Sequence, residues 1–184
     1  MDNRFFLGKD DSVLVLVDIQ ERLAAVMREK EKVVRNALHL IEAAKLLNIP
    51  IVVTEQYPKG LGPTVNEIRE ALPSSVPVEK LTFSCCGEPA FLEALSSSGR
   101  NKIILCGMET HVCVLQTCIG SLREGYTVHV VRDAVCSRTK ENFAVAIDFM
   151  RDAGAVITGT ETVLFQLLEK AGTEEFKAIS RRIK

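Results

Sequence analysis

The chain has 184 residues, with 23 lysines and arginines against 24 aspartates and glutamates, and a formal net charge of −1. That length fits a single domain over residues 1–184 that buries a core without disulfides or metal, and the balanced charge argues against a nucleic-acid module. No apolar run reaches the roughly 18 residues of a membrane span, and acids precede the first apolar run, unlike a secretory leader; the expectation is a cytoplasmic protein with no nucleic-acid or membrane partner.

Val13, Leu14, Val15, Leu16 and Val17 form a continuous branched-apolar run closed by Asp18. Continuous rather than alternating runs predict strands covered on both faces, as in parallel sheets. Over residues 31–47, Val34, Ala37, Leu38, Ile41 and Ala44 recur at helical spacing, and Asn48 and Pro50 end that helix. Residues 51–54 read as the next strand. Two prolines and two glycines within residues 55–63 predict a loop. Thr64 is a candidate cap for a short helix reaching residue 71, and residues 76–79, which include Pro77, form a short strand suited to a sheet edge.

The second half alternates more plainly. Residues 88–97 are helical in pattern, 102–106 a buried strand, and 112–124 a helix stopped by Gly125. A strand over 127–131, a helix over 140–152 stopped by Gly154, and a strand over 155–158 follow. Thr160 and Glu161 open a helix to residue 168, and the charged tail from 174 to 184 has helical character. Strand and helix in alternation predict an α/β protein: a three-layer α/β/α Rossmann-like fold with a mostly parallel six-stranded sheet. No G-x-G-x-x-G follows the first strand, so no dinucleotide cofactor is implied.

In such sheets ligands bind beyond the carboxyl ends of the strands, near the point where strand order reverses. Three reactive side chains fall at strand ends: Asp18 after the first strand, Lys80 after the third, and Cys113 a few residues past the fourth, at or near a helix start. Their chemistry is complementary. A thiolate is the reactive form of cysteine, favoured by a helix N-terminus and a nearby cation; Lys80 supplies the cation, and Asp18 can shuttle protons. Singly, Asp18 reads as a helix cap, Lys80 as a solvated surface residue and Cys113 as packing. The other cysteines, at 85, 86, 106, 118 and 136, form no C-x-x-C pair and have no histidine at zinc-ligand spacing, so they are expected to be reduced, mostly buried thiols, with Cys85 and Cys86 in packing roles.

Val17, Asp18, Ile19 and Gln20, then Lys80 with Phe83 and Ser84, then the string from Gly107 through Met108, Glu109, Thr110, His111, Val112 and Cys113 to Val114, with Thr117, resemble the isochorismatase-like cysteine hydrolases. The resemblance runs from Val13 to about Leu168. Glu109 to Val114 together with Thr54, Glu55 and Gln56 looks most like the isochorismatase-domain-containing subgroup. It implies Cys113 as nucleophile, Asp18 as general acid and base, and Lys80 as orienting cation. It also implies a cis peptide between Met108 and Glu109, with the Glu109 and Cys113 N–H groups forming the oxyanion hole. Gln20, Gln56, Phe83, Met108 and His111 become candidate substrate-binding residues, with His111 lining the pocket mouth or capping the helix. His39 and His129 are expected to be structural. Homo-oligomers are also expected.

One departure is informative. Metal-dependent nicotinamidases of this family place an Asp and two His in the loop after the second strand, whereas residues 55–63 here hold no histidine. Glu55 alone is not a metal site, so neither metal nor other cofactor is expected. The sequence thus points to a metal-independent cysteine hydrolase of a small amide, imide or related carbonyl compound. The alternatives are vinyl-ether hydrolysis of the isochorismatase type, which needs acid catalysis and no thiolate, or a non-catalytic binding or redox-sensing member of the same fold.

Overall fold

The computed structural model describes residues 3–183. Six parallel strands form one sheet in the order β3-β2-β1-β4-β5-β6: β1 (Ser12–Val17), β2 (Ile51–Gln56), β3 (Val78–Lys80), β4 (Lys102–Met108), β5 (Thr127–Cys136) and β6 (Val156–Thr158). Every residue of β1 and β4 is buried, which is why their runs do not alternate. The sheet is all parallel rather than mostly parallel.

Helices cover both faces. In chain order they are α1 (Glu21–Ala24), α2 (Lys30–Leu46), α3 (Pro58–Leu61), α4 (Asn66–Ala71), α5 (Pro89–Ser97), α6 (Leu115–Arg123), α7 (Lys140–Asp152), α8 (Thr160–Leu168) and α9 (Glu174–Arg182). On one face α2 and α8 pack on the sheet, with α9 laid over α2; α5, α6 and α7 lie on the other. Phe91 and Leu95 of α5 are fully buried, and a side chain the size of Phe91 contributes roughly 2–3 kcal/mol by leaving water. No helix among the described residues is long and apolar enough to cross a membrane.

Several expected boundaries shift, each for a visible reason. Thr64 does not cap α4: Val65 precedes that helix, and the Thr64 N–H and hydroxyl both donate to Glu55 Oε1, at 2.6 and 2.7 Å. β2 runs on to Gln56 because Glu55 and Gln56 pair with Glu79 and Lys80, and Pro58 then opens the short helix α3 within the expected loop. The fourth crossover is not one regular helix. Val112 and Val114 both donate to the Glu109 carbonyl, at 3.1 and 3.2 Å, making a π-helical turn over Thr110–Val114 before α6 begins. β5 extends beyond residue 131 to Cys136 through a bulge, where pairing jumps from Val130 opposite Leu105 to Val135 opposite Gly107. Asn36 Nδ2 donates to the Asp133 carbonyl at 2.7 Å, and Thr160 N–H and hydroxyl donate to Asp133 Oδ1, so the bulge is tied from two helices.

The chain moves one way from β1 through β2 to β3 and the other way from β4 through β5 to β6, so strand order reverses between β1 and β4. That crevice is where a doubly wound sheet binds ligands. Gly107 makes the close approach there possible: its φ is +134°, and a Cβ would lie 2.0 Å from the Val17 carbonyl oxygen.

Candidate active site

Asp18 follows β1 with a left-handed φ of 52°, a conformation that Asp tolerates better than most residues. The Thr54 hydroxyl donates to its Oδ1 at 2.7 Å, and the Lys80 Nζ lies 2.7 Å from Oδ2. Both charged side chains are fully buried. Apart from that ion pair, Oδ2 accepts no well-aligned hydrogen bond among the described residues. Lys80 reaches from edge strand β3 past the end of β2. Its ammonium also donates to Gln56 Oε1 at 2.6 Å and lies 3.3 and 3.4 Å from the Thr82 and Phe83 carbonyls. Burial works against the ammonium, but the Asp18 carboxylate outweighs it and leaves the amine above its usual range.

Cys113 enters from the π-turn, 5% exposed, with its thiol under the electrostatic influence of the Asp18 carboxylate and the Lys80 ammonium. The three groups that the sequence puts at separate strand ends therefore lie within electrostatic reach of one another. One expectation changes. Burial pushes the Cys113 thiol well up, the Asp18 carboxylate pushes it further, and Lys80 opposes both less strongly. Cys113 rests as a neutral thiol rather than as the thiolate that a helix start and a cation alone would give.

Two outcomes follow in alkylation experiments. Labelling of Cys113 by iodoacetamide should keep rising with pH beyond the ordinary thiol range, near 8.5, instead of levelling off near neutrality. Asp18→Asn, which removes the anion and leaves the Lys80 cation, should make Cys113 react faster at neutral pH while turnover is lost. Peptide-resolved mass spectrometry measures both; a wild-type rate already maximal at pH 7 would contradict the neutral resting state.

A second thiol touches the same carboxylate indirectly. Cys85 is fully buried, its Sγ lies 3.7 Å from Thr54 Oγ1 as a donor, and its N–H donates to Thr117 Oγ1 at 3.0 Å. Burial, then Asp18, pushes this thiol up to about 12. Cys85 is thus more than packing: it ends a chain from thiol to hydroxyl to carboxylate. All six cysteines are free.

The expected substrate-binding residues divide. Gln20 is fully buried and spent inside the protein: Nε2 donates to the Gln56 and Gly62 carbonyls at 3.0 and 2.6 Å, and Oε1 accepts from Gln56 N–H at 2.8 Å. Gln56 joins Lys80 to the Leu81 carbonyl. Gln20 therefore clamps the loop after β2, and Gln56 orients the cation. Met108 is fully buried, and its bond to Glu109 is cis. Phe83 is 53% exposed. His111 Nδ1 and Ser137 Oγ are hydrogen-bonded at 2.9 Å, so the imidazole is tied to the end of β5. The Glu109 carboxylate pairs with Arg138, at 3.0 Å from Nε and 3.2 Å from its N–H. Of the other histidines, His129 Nε2 bonds the Arg4 carbonyl at 2.8 Å, whereas the buried Nδ1 of His39 has no hydrogen-bond partner among the described residues.

Thr54, Thr117, Ser137 and Arg138 carry no individual role in the sequence reading and Cys85 only a packing one, yet they support the site. Thr54 was accessible in principle, since it pairs with Val17, the residue before Asp18. Thr117 lies one turn beyond Cys113. Ser137 and Arg138 were hidden behind a bulge that no local pattern announces. Glu55, near the end of β2, accepts at Oε1 from the Thr64 N–H and hydroxyl. Among the described residues no three His, Cys, Asp or Glu side chains cluster as metal ligands.

The Isochorismatase domain family model matches residues 12–162. The secreted isochorismatase effector Isc1 of Phytophthora sojae is 44% identical over 178 residues, covering 94% of this chain and 84% of that protein. The structure of the MAR1 ribonuclease of Caenorhabditis elegans superposes with a TM-score of 0.90 at 37% identity, covering 97% of this chain and 92% of that one. YcaC of Escherichia coli, described as an octameric hydrolase of unknown specificity, and YcaC of Pseudomonas aeruginosa, solved with covalent acrylamide, are each 27% identical with TM-scores of 0.90; each covers 96% of this chain, and this chain covers 90% and 91% of theirs.

Proposed function

The chain belongs to the isochorismatase family, and from that membership we propose a cysteine hydrolase that cleaves a small amide, imide or related acyl compound with no metal. One arrangement carries the reading: the buried Asp18 carboxylate pairs with the Lys80 ammonium at 2.7 Å and pushes the nearby Cys113 thiol up. A structural ion pair has no need of a thiol beside it, whereas acyl transfer does.

Cys113 Sγ attacks the carbonyl carbon as its proton passes to Asp18. The neutral resting thiol makes this transfer part of the attack itself. The developing oxyanion is held by the Glu109 and Cys113 N–H groups. As the tetrahedral species collapses, Asp18 returns the proton to the leaving nitrogen, the amine departs and a thioester remains. Asp18 then takes a proton from water, hydroxide attacks the thioester, and Cys113 regains its proton as the acid leaves. Lys80 stays cationic throughout and holds Asp18 in position between transfers. Phe83, exposed beside the cation's carbonyl contact, and His111 border the entrance, and Met108 backs it.

Acrylamide tests the nucleophile, prompted by the covalent acrylamide on the P. aeruginosa relative. A single adduct on Cys113 is expected, alongside hydrolysis of members of an amide and imide panel. Adducts confined to other cysteines would overturn the assignment, and silence across the panel would favour a non-catalytic module. RNA belongs in the same screen because of the C. elegans relative's name; RNA cleavage without amide cleavage would replace this reading.

The protein is further proposed to be a single-domain homo-oligomer of the cytoplasm. Its six free thiols suit a reducing compartment, although the Isc1 relative is named as secreted. Val145 and Phe149, one turn apart on α7, are 68% and 54% exposed and form an apolar contact face. Val145→Glu with Phe149→Glu should shift light-scattering mass to a smaller species; an unchanged mass would move the contact elsewhere.

A further inference from the structure

We propose that a cavity over the carboxyl end of β5 binds a small organic anion, a phosphate monoester or a carboxylate carried on an apolar body. The cavity measures about 430 Å³ and lies between the start of α2, the β5 bulge and the first turn of α7, within the usual size of small-molecule sites.

Its walls concentrate positive charge in a chain whose net charge is −1. Arg28, Lys32, Arg132 and Lys140 line it, and none of the four forms an ion pair among the described residues. Arg138 also lines the cavity but is spent on Glu109. Glu29 is the one acid among the described residues of the lining. The bulge that lengthens β5 is what turns Arg132 outward, and its guanidinium rests 5.2 Å from the centre of the Phe143 ring. Phe143, Val135 and Ala144 add an apolar wall to this cationic rim. The amino end of α7, a helix of 13 residues capped by Thr139, forms another side and brings the positive end of its dipole. Cations without acidic partners, an apolar wall and a helix start together favour an anion with a hydrophobic body over a neutral molecule or a bare metal ion.

Asp18, Lys80 and Cys113 do not line this cavity, so the inference stands apart from the hydrolase reading. The two regions are joined through Ser137, which holds His111, and Arg138, which holds Glu109.

Calorimetric titration of the whole protein with phenyl phosphate, benzoate and neutral benzyl alcohol tests it. Saturable one-to-one binding of one or both anions is expected, with benzyl alcohol inert and affinity falling as salt is added. Binding of phenyl phosphate alone identifies a phosphate site, of benzoate alone a carboxylate site, and of both a general organic-anion site. Lys32→Glu and Arg132→Glu change exposed side chains, so both variants should keep the native circular dichroism. Each should weaken binding about tenfold or more, the loss expected for a charge-assisted hydrogen bond. Cys113→Ser should bind as the wild type does. No heat with either anion at millimolar concentration, equal binding of benzyl alcohol, or full affinity in both charge-reversed variants would overturn the proposal.

Discussion

Cys113→Ala should fold as the wild type does and lose turnover of acyl substrates by about 10⁴-fold or more, as removal of an attacking atom does elsewhere. The side chain is 5% exposed, at the margin of the buried core, and lies near the Asp18 carboxylate. Truncating it removes one sulfur and the group that crowds Asp18, so thermal stability should change little. Activity and melting temperature measured on the same preparation separate a chemical loss from a structural one. Activity that survives in Cys113→Ala would mean that Asp18 alone performs acid catalysis, as vinyl-ether cleavage requires, and the thioester route would be abandoned.

Lys80→Met should destabilise the fold by about 3–5 kcal/mol, the usual consequence of leaving a buried charge without its partner. Among the described residues, the fully buried Asp18 carboxylate would then keep only the Thr54 hydroxyl as a hydrogen-bond partner. Adding Asp18→Asn to Lys80→Met removes the orphaned charge and should restore most of the lost stability while leaving turnover absent. Urea denaturation of the four proteins of that cycle yields the coupling between the two groups. The pH dependence has a definite sign. Lys80 is raised above its ordinary value of 10.5 in the folded protein, so its contribution is complete below that value and fades only as pH climbs through the higher folded one. The gap between wild type and Lys80→Met should be flat across neutral pH and narrow in alkali. Additive effects in the cycle would mean that the pair does not act as a unit.

The sequence was most legible where one interaction dominated. Val13 to Val17 could only be a strand buried on both faces, and Pro77 confined its neighbours to a sheet edge, where β3 is found. Asp18, Lys80 and Cys113 could be singled out because strand ends in such sheets converge by topology, not by sequence distance. What escaped was set by long-range contact. Gln20 looked like a pocket residue by position, yet its amide is consumed bracing the Gln56 and Gly62 backbone, a demand that no local pattern reveals. Cys85 looked like filler until the fold brought it against Thr54. The resting ionisation of Cys113 depended on how deeply the carboxylate and thiol are enclosed together, which spacing along the chain does not encode.

Lys80 rides on the outermost strand of the sheet, joined to its neighbour over only three residue pairs. Edge elements with so few backbone bonds open locally at a fraction of the free energy needed to unfold the whole molecule. Fraying of that border would strip Asp18 of its cation while the centre of the sheet stays intact. The charge on which the proposed chemistry depends is thus governed by the protein's margin and not by its well-protected middle, and mild denaturant should abolish hydrolysis before it disturbs the bulk of the amide protection.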